Sequence, residues 1–291
     1  MNSMTKKTPI KGRYSPVDHA RHDPATALAS LFRPITKGRR PGGLQIESEF
    51  DGMKLKFMIW RALDTRDQSV LLAAIGMAGM ENRELHSDVS GERGQRLWLD
   101  LKPQEEAQFD RAIVVTTTRY ALIQAAGLAD NGQNYGLLEE CLERLSMVGS
   151  KAEKEGFQWS MNLLSWAEAP DGRINIALNS RFATALGGHH VRVSLDERRQ
   201  LNSEPAQLAH AWLSAWLKPG KTQSLSLDKM AEKVWGAPSK NESTTRSRRD
   251  RINKGLNEVS ELNGWNLKIE GRGKKAKATI QRSRMLDLKK I

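Results

Sequence analysis

The sequence predicts an α+β chain of two tandem winged-helix units, each a helix-turn-helix followed by a β-hairpin wing. Three observations predict it. Between residues 203 and 281 the apolar pattern runs helix, strand, helix, helix, strand, turn, strand. Between residues 118 and 179 helices are again followed by a hairpin pattern. Finally, the positive charge collects on the last helix and hairpin. From Ala237 to Ile291 there are 15 Lys and Arg against 6 Asp and Glu, a surplus of nine out of the chain's +12.

Residues 1–40 hold 9 basic and 2 acidic side chains and are interrupted by Pro9, Pro16, Pro24 and Pro34. This composition predicts a basic, largely flexible N-terminal arm, with one helical turn at Ala25–Phe32. The division expected is therefore an arm at 1–40, a first winged-helix unit at 41–200 and a second at 201–291 with a basic tail. The charge surplus assigns the second unit to DNA. Residues 41–236 carry a net −4, an ordinary folding unit between two basic ends.

Folding proper begins with a hairpin. Leu44, Ile46, Ser48 and Phe50 alternate on one strand and Met53, Leu55, Phe57 and Ile59 on the other. Asp51-Gly52 between them supplies the two positive-φ positions of a type I′ turn. Thr65 and Gln68 have the spacing of a capping box opening a helix through Leu71, Leu72 and Ile75, which ends near Gly79. Residues 81–110 are polar and turn-rich, and no regular element is legible in them. Ile113–Thr117 reads as a strand, Thr118 to Leu128 as a helix, and Tyr135–Val148 as a longer helix. Leu138, Cys141, Leu142 and Leu145 share a face of that helix, which assigns the lone cysteine to the core rather than to thiol chemistry. Phe157–Trp166 and Arg173–Asn179 read as strands joined by Pro170-Asp171-Gly172. His190–Leu195 is a short strand, and Ser194 with Glu197 caps the turn of helix after it.

The second unit opens at Ser203, with Pro205 in the first helical turn. Leu208, Trp212, Ala215 and Trp216 form a stripe that packs this helix on one face. Gln223–Leu227 is a strand, followed by a compact helix with Leu227, Met230, Ala231 and Val234 inward, ending at Gly236. Pro238 breaks the chain before the basic helix Ser243–Leu262, whose core stripe is Ile252, Leu256 and Val259. Strand Trp265–Glu270, turn Gly271–Lys274 and strand Lys275–Gln281 complete the wing.

With Ile252 inward, Arg246, Ser247, Asp250, Asn253, Lys254 and Asn257 point outward. The second helix of a helix-turn-helix lies in the major groove. Arg246 and Lys254 suit guanine O6/N7 and Asn253 suits adenine N6/N7. Ser243, Thr244 and Thr245 can donate to a phosphate at the helix start. Arg248 and Arg249 flank the core stripe and suit phosphates, and Ser247 and Arg251 complete the helix's DNA-contacting set. Asp250 either accepts from a cytosine amine or orders Arg246 and Lys254 by i,i+4 pairing. On the wing, Arg272, Lys274, Lys275 and Lys277 would meet backbone or minor groove.

Other chemistry is excluded by residue type and spacing. Lys221-Thr222 after Gly220 lacks the first P-loop glycine, because that position is Ala215. His189-His190-Val191 is not a His-hydrophobe-His metal motif, and Tyr14, Tyr120 and Tyr135 show no paired nucleophile setting. His19 and His22 have no ligand cluster at metal spacing. The expectation is a non-enzymatic protein without cofactor or metal, cytoplasmic, with no membrane-spanning run.

Several stretches resemble the IncQ-type plasmid replication protein C family. His19-Ala20-Arg21-His22-Asp23-Pro24, continuing to Leu31-Phe32-Arg33, is similar to that family's opening motif. Gly187-Gly188-His189-His190-Val191-Arg192-Val193-Ser194-Leu195-Asp196-Glu197 is more specific. It runs on through Leu201-Asn202-Ser203-Glu204 to Pro219-Gly220-Lys221-Thr222. Thr245–Arg251 followed by Gly264-Trp265 also fits. The resemblance implies an initiator that binds direct repeats (iterons) in double-stranded origin DNA, promotes local melting, and admits a replicative helicase and primase. It also implies two winged-helix domains, the first serving homodimerisation and protein contacts and the second major-groove recognition. The alternative is a dimeric winged-helix transcriptional repressor on a palindromic operator.

Overall fold

A computed structural model describes residues 17–35, 40–81, 83–89 and 91–284. Its elements run β1 (His19–His22), α1 (Pro24–Leu28), β2 (Gly42–Phe50), β3 (Met53–Arg61) and α2 (Thr65–Glu81). Next come β4 (Arg83–Leu85), α3 (Glu92–Asp100), β5 (Gln104–Glu105), a 3-10 turn at Glu106–Phe109, β6 (Ala112–Thr118), α4 (Arg119–Ala125) and α5 (Gly132–Ser146). The first half closes with β7 (Val148–Lys154), β8 (Phe157–Asn162), β9 (Leu164–Glu168), β10 (Arg173–Leu178), α6 (Ser180–Gly187), β11 (Val191–Ser194) and α7 (Leu195–Gln200). The second half holds α8 (Glu204–Trp216), β12 (Thr222–Ser226), α9 (Leu227–Trp235), α10 (Glu242–Ser260), β13 (Trp265–Glu270) and β14 (Lys277–Arg282). A 3-10 turn, Gly273–Lys275, separates the last two strands.

One element order occurs twice. In the first half α2, β6, α4, α5, β9 and β10 follow one another, and β10 lies between β6 and β9. In the second half α8, β12, α9, α10, β13 and β14 repeat that order, with β14 between β12 and β13. Helix, strand, helix, helix, strand, strand, with the third strand central, is thus a duplicated arrangement. The first copy carries insertions. Among them, β7 and β8 join β2, β3 and β5 in a separate five-stranded sheet ordered β2-β3-β7-β8-β5.

Local chemistry sets the boundaries. Asp51 and Gly52 both have positive φ, 52° and 71°, and Phe50 pairs with Met53, as the type I′ turn requires. Asn131, Thr118, Ser194, Ser203 and Ser226 each cap the following helix by accepting a backbone N–H. The capping box expected of Thr65 and Gln68 lies one residue earlier. Asp64 accepts from the N–H groups of Arg66 and Asp67 at 2.8 and 3.1 Å, and Asp67 accepts from Asp64 N–H at 2.8 Å. Thr65 Oγ1 is buried away from that exchange. A carboxylate accepts two N–H bonds better than a hydroxyl does, so the acid wins the cap. The helix itself runs on to Glu81 rather than stopping near Gly79.

Four further expectations are corrected. Residues 17–35 are not a flexible arm: β1 pairs antiparallel with β11, and Val17, Ala20, Leu31 and Phe32 are buried in the core. The rest of that stretch, apart from Arg40, lies outside the described residues, as does the tail from 285. Phe157–Trp166 is two strands, because the chain bends at buried Leu163 and passes from the five-stranded sheet into the β6-β10-β9 sheet. The helix at 204–216 does not pack on one face only. Every residue from Leu208 to Ser214 is buried, because α1, α2 and β11 of the first half cover the side that α9 and α10 leave open. The last strand starts at Lys277, since Gly273–Lys275 takes up a 3-10 turn.

One hydrophobic core therefore runs through both halves. Polar contacts cross the same boundary. Arg198, fully buried, donates to the carbonyl oxygens of Gln207 and Thr65 and to Ser69 Oγ. Burial pulls its pKa down to about 9, which leaves it charged at neutral pH. Glu197 Oε2 accepts from His210 Nε2 at 2.7 Å and from Trp265 Nε1 at 2.9 Å. No helix among the described residues is long and apolar enough to cross a membrane.

Candidate nucleic-acid interface

Helix α10 is the most basic helix and its two faces are chemically distinct. Asn241 caps it, accepting from Thr244 N–H at 2.8 Å, and Glu242 sits favourably in the first turn. Ile252, Leu256 and Val259 are buried, one helical turn apart. Gly255 lies where α10 crosses α8. A methyl group there would fall 2.9 Å from the Ala206 backbone nitrogen, so only glycine permits this approach.

On the opposite face Ser243, Arg246, Ser247, Asp250, Lys254 and Asn257 are exposed, and Asn253 is half-buried. Among the described residues Arg246 and Lys254 form no ion pair, and Asp250 pairs with neither of them. The i,i+4 ordering considered for Asp250 is thus not formed. The outward cations remain available to a ligand.

The flanking arginines do something else. Arg249 donates to both carboxylate oxygens of Asp228 at 2.9 and 2.8 Å, tying α10 to the start of α9. These bonds raise its pKa. Arg248 donates to Ala237 O at 2.8 Å, and its guanidinium lies 5.5 Å from the Trp235 ring centroid. Arg251 lies 5.2 Å from the same ring. Thr245 Oγ1 donates to Asn241 O at 2.9 Å and also contacts Ser239 Oγ. Arg248, Arg249 and Thr245 therefore hold α10 in place, while Ser243, Arg246, Ser247, Asn253 and Lys254 face outward.

The wing stands beside the helix start. Lys274 Nζ is 3.8 Å from Glu242 Oε1, which brings the hairpin tip to the first turn of α10. Arg272, Lys274, Lys275 and Lys277 are all exposed. Helix and hairpin thus present two basic edges with a common opening. Asn241 and Asp228 are the contributors that sequence reasoning missed. The Asn241-x-x-Thr244 spacing is a capping signal; the Asp228–Arg249 pair spans 21 residues and carries no local one.

The equivalent helix of the first copy, α5, is different in charge. Its polar side carries Glu139, Glu140 and Glu143, of which Glu139 pairs with Arg119 and Glu140 with Arg144, whose Nε donates to buried Asp67 at 3.0 Å. Among the described residues α5, unlike α10, presents no outward unpaired cation to a phosphate. Cys141 is buried on that helix, and burial with the Asp67 carboxylate close by pushes its thiol pKa up. His190 Nδ1 contacts Gly188 O in a loop, and His189 is exposed.

Comparison with known proteins agrees with this architecture. The family model described as Replication protein C (RepC) matches residues 15–282. No curated protein sequence gives a significant match. A crystal structure of domains 2 and 3 of RctB is similar at TM-score 0.55 and 12% identity, covering 89% of this chain and 96% of that one. A second RctB structure of domains 2–3 is similar at TM-score 0.52 and 12% identity, covering 90% of this chain and 98% of that one. The Pi initiator protein in complex with iteron DNA gives TM-score 0.48 and 13% identity, over 90% of this chain and 95% of that one. At these identities the likeness to RctB concerns the fold.

Proposed function

Because the chain belongs to the replication protein C family, we propose that it is a plasmid replication initiator that binds direct repeats at its origin. Two tandem winged-helix units carry the activity, and the duplicated order of helices and strands supports that description. The second unit reads sequence: α10 enters the major groove, and Arg246, Asn253 and Lys254 face base edges. The single observation that carries this reading is the outward face of α10, cationic, free of ion pairs among the described residues and flanked by a basic wing. Ser243, Thr244, Ser247, Arg272, Lys274, Lys275 and Lys277 serve the phosphates.

The first unit serves protein contacts, including a homodimer and the approach of replicative helicase and primase after local melting. Its acidic α5 fits that division, as do Met58 and Trp60, which are 42% and 66% exposed on the five-stranded sheet. No catalytic step is assigned to the chain.

Footprinting tests the reading. Protection of several tandem direct repeats is expected, spaced by multiples of one helical turn, about 10.5 base pairs. Protection confined to a single palindrome would instead identify a repressor.

A further inference from the structure

Arg33 reaches from the first half of the chain into the second. Its guanidinium lies against Gly236, where a methyl group would fall 2.7 Å from Nη2. Arg248 and Arg251 approach the same corner, at 5.5 and 5.2 Å from the Trp235 ring. Three guanidinium groups thus gather at the end of α9. Among the described residues none of the three has a carboxylate partner, and the buried Arg33 Nε has no hydrogen-bond acceptor.

The corner is electrostatically unfavourable as it stands. Burial, and then the neighbouring Arg248, pull the Arg33 pKa down. Burial and Arg251 do the same to Arg248. Glu204 at the start of α8 lies within electrostatic range of Arg251, but it also faces Arg66 and Arg40 and makes no ion pair with Arg251. A guanidinium left without an anion is what phosphate recognition uses, because its planar fork matches phosphate oxygens in pairs. Arg251 projects from the flank of α10 next to the outward-facing Ser247 and Lys254. A helix seated in the major groove places such a flank along one phosphate strand.

We propose that Arg33, Arg248 and Arg251 form a binding site for one phosphodiester of the bound duplex, assembled across the two halves of the chain. The site rests on the DNA-binding reading above and adds a residue of the N-terminal segment to the interface. Its contribution is independent of base sequence.

Full-length Arg33→Met and Arg33→Lys test it, methionine keeping the apolar stem against Gly236. Binding to a repeat duplex and to a scrambled duplex is measured over a range of salt, with thermal unfolding as a check on folding. Arg33→Met should weaken both duplexes by a similar factor, and the slope of log K against log salt should fall, by up to about 0.9, the value of one whole phosphate contact. Arg33→Lys should keep most of the slope. An unchanged slope in Arg33→Met would overturn the site, while Arg246 could still read the repeats. Equal wild-type affinity for both duplexes would instead remove the sequence-specific reading and leave the phosphate site standing. A neutral methylphosphonate walked along the duplex separates the sources of phosphate. One position should weaken wild type by a larger factor than it weakens Arg33→Met. If no position does so, and inorganic phosphate alone raises the unfolding temperature of wild type but not of Arg33→Met, the site takes free phosphate and the proposal fails.

Discussion

Replacing Arg246 with alanine is expected to weaken binding to the repeat by about 1–3 kcal/mol and to relax selectivity at one base position. Arg246 is exposed, lies on the outward face of α10 and has no internal ion pair among the described residues. Its removal therefore leaves no buried group unsatisfied, and the fold should be unaffected. The whole effect should appear in binding and not in the unfolding midpoint. Affinity measured on the repeat and on its single-base variants separates two roles. Loss at one position marks a base contact, whereas a uniform loss over all sequences marks a phosphate contact. Arg249 supplies the contrast, because its bidentate pairing with Asp228 fixes α10 to α9. A substitution there should lower stability along with binding.

Glu197→Leu is expected to destabilise the protein by about 1–3 kcal/mol. It leaves His210 Nε2 and Trp265 Nε1 facing an apolar side chain at a site only partly open to water. Urea unfolding of the full chain checks the size of the effect. Burial pushes the Glu197 pKa up, but hydrogen bonds from His210 and Trp265, with Arg282 nearby, outweigh it and hold the group below the ordinary range. Its contribution is thus present above the unfolded pKa of about 4.3 and is lost as pH falls through the lower folded value. His210 and His22 act in the same direction for a different reason. Both are buried, and burial holds both pKa values below 6.5. The unfolded chain takes up their protons first, so stability declines as pH falls below about 6.5, by up to about 1.4 kcal/mol per unit for each histidine. His210→Gln should flatten part of that decline. A stability curve already level from pH 7 to 5.5 in wild type would contradict a neutral buried pair.

The parts of this fold that were legible in sequence are those fixed by neighbours along the chain. Asp51-Gly52 specifies its hairpin, Ser203 and Pro205 open α8, and Ile252, Leu256 and Val259 set the inward side of α10. What was not legible depends on partners far away. The sequence Val148–Lys154 has little apolar alternation, yet it forms β7 because β3 and β8 pair with it on both sides. Residues 19–22 are basic and polar, and they become a strand by pairing with residues 191–194. Helix α3 starts after Gly91, which offers no capping side chain, and buries only Leu97 and Trp98. At the interface the same rule holds. Helical periodicity separates outward Arg246 and Lys254 from the core stripe, but it carries no sign that Arg248 and Arg249 are held by Ala237 and Asp228.

Methylation interference on a single repeat tests most directly whether α10 reads the major groove. Guanine N7 lies in that groove and adenine N3 in the minor groove. Methylation of at least one guanine N7 per repeat should block wild-type binding, and that block should vanish in Arg246→Ala while other positions keep theirs. Interference limited to adenine N3, or a guanine pattern identical in wild type and Arg246→Ala, would contradict the account.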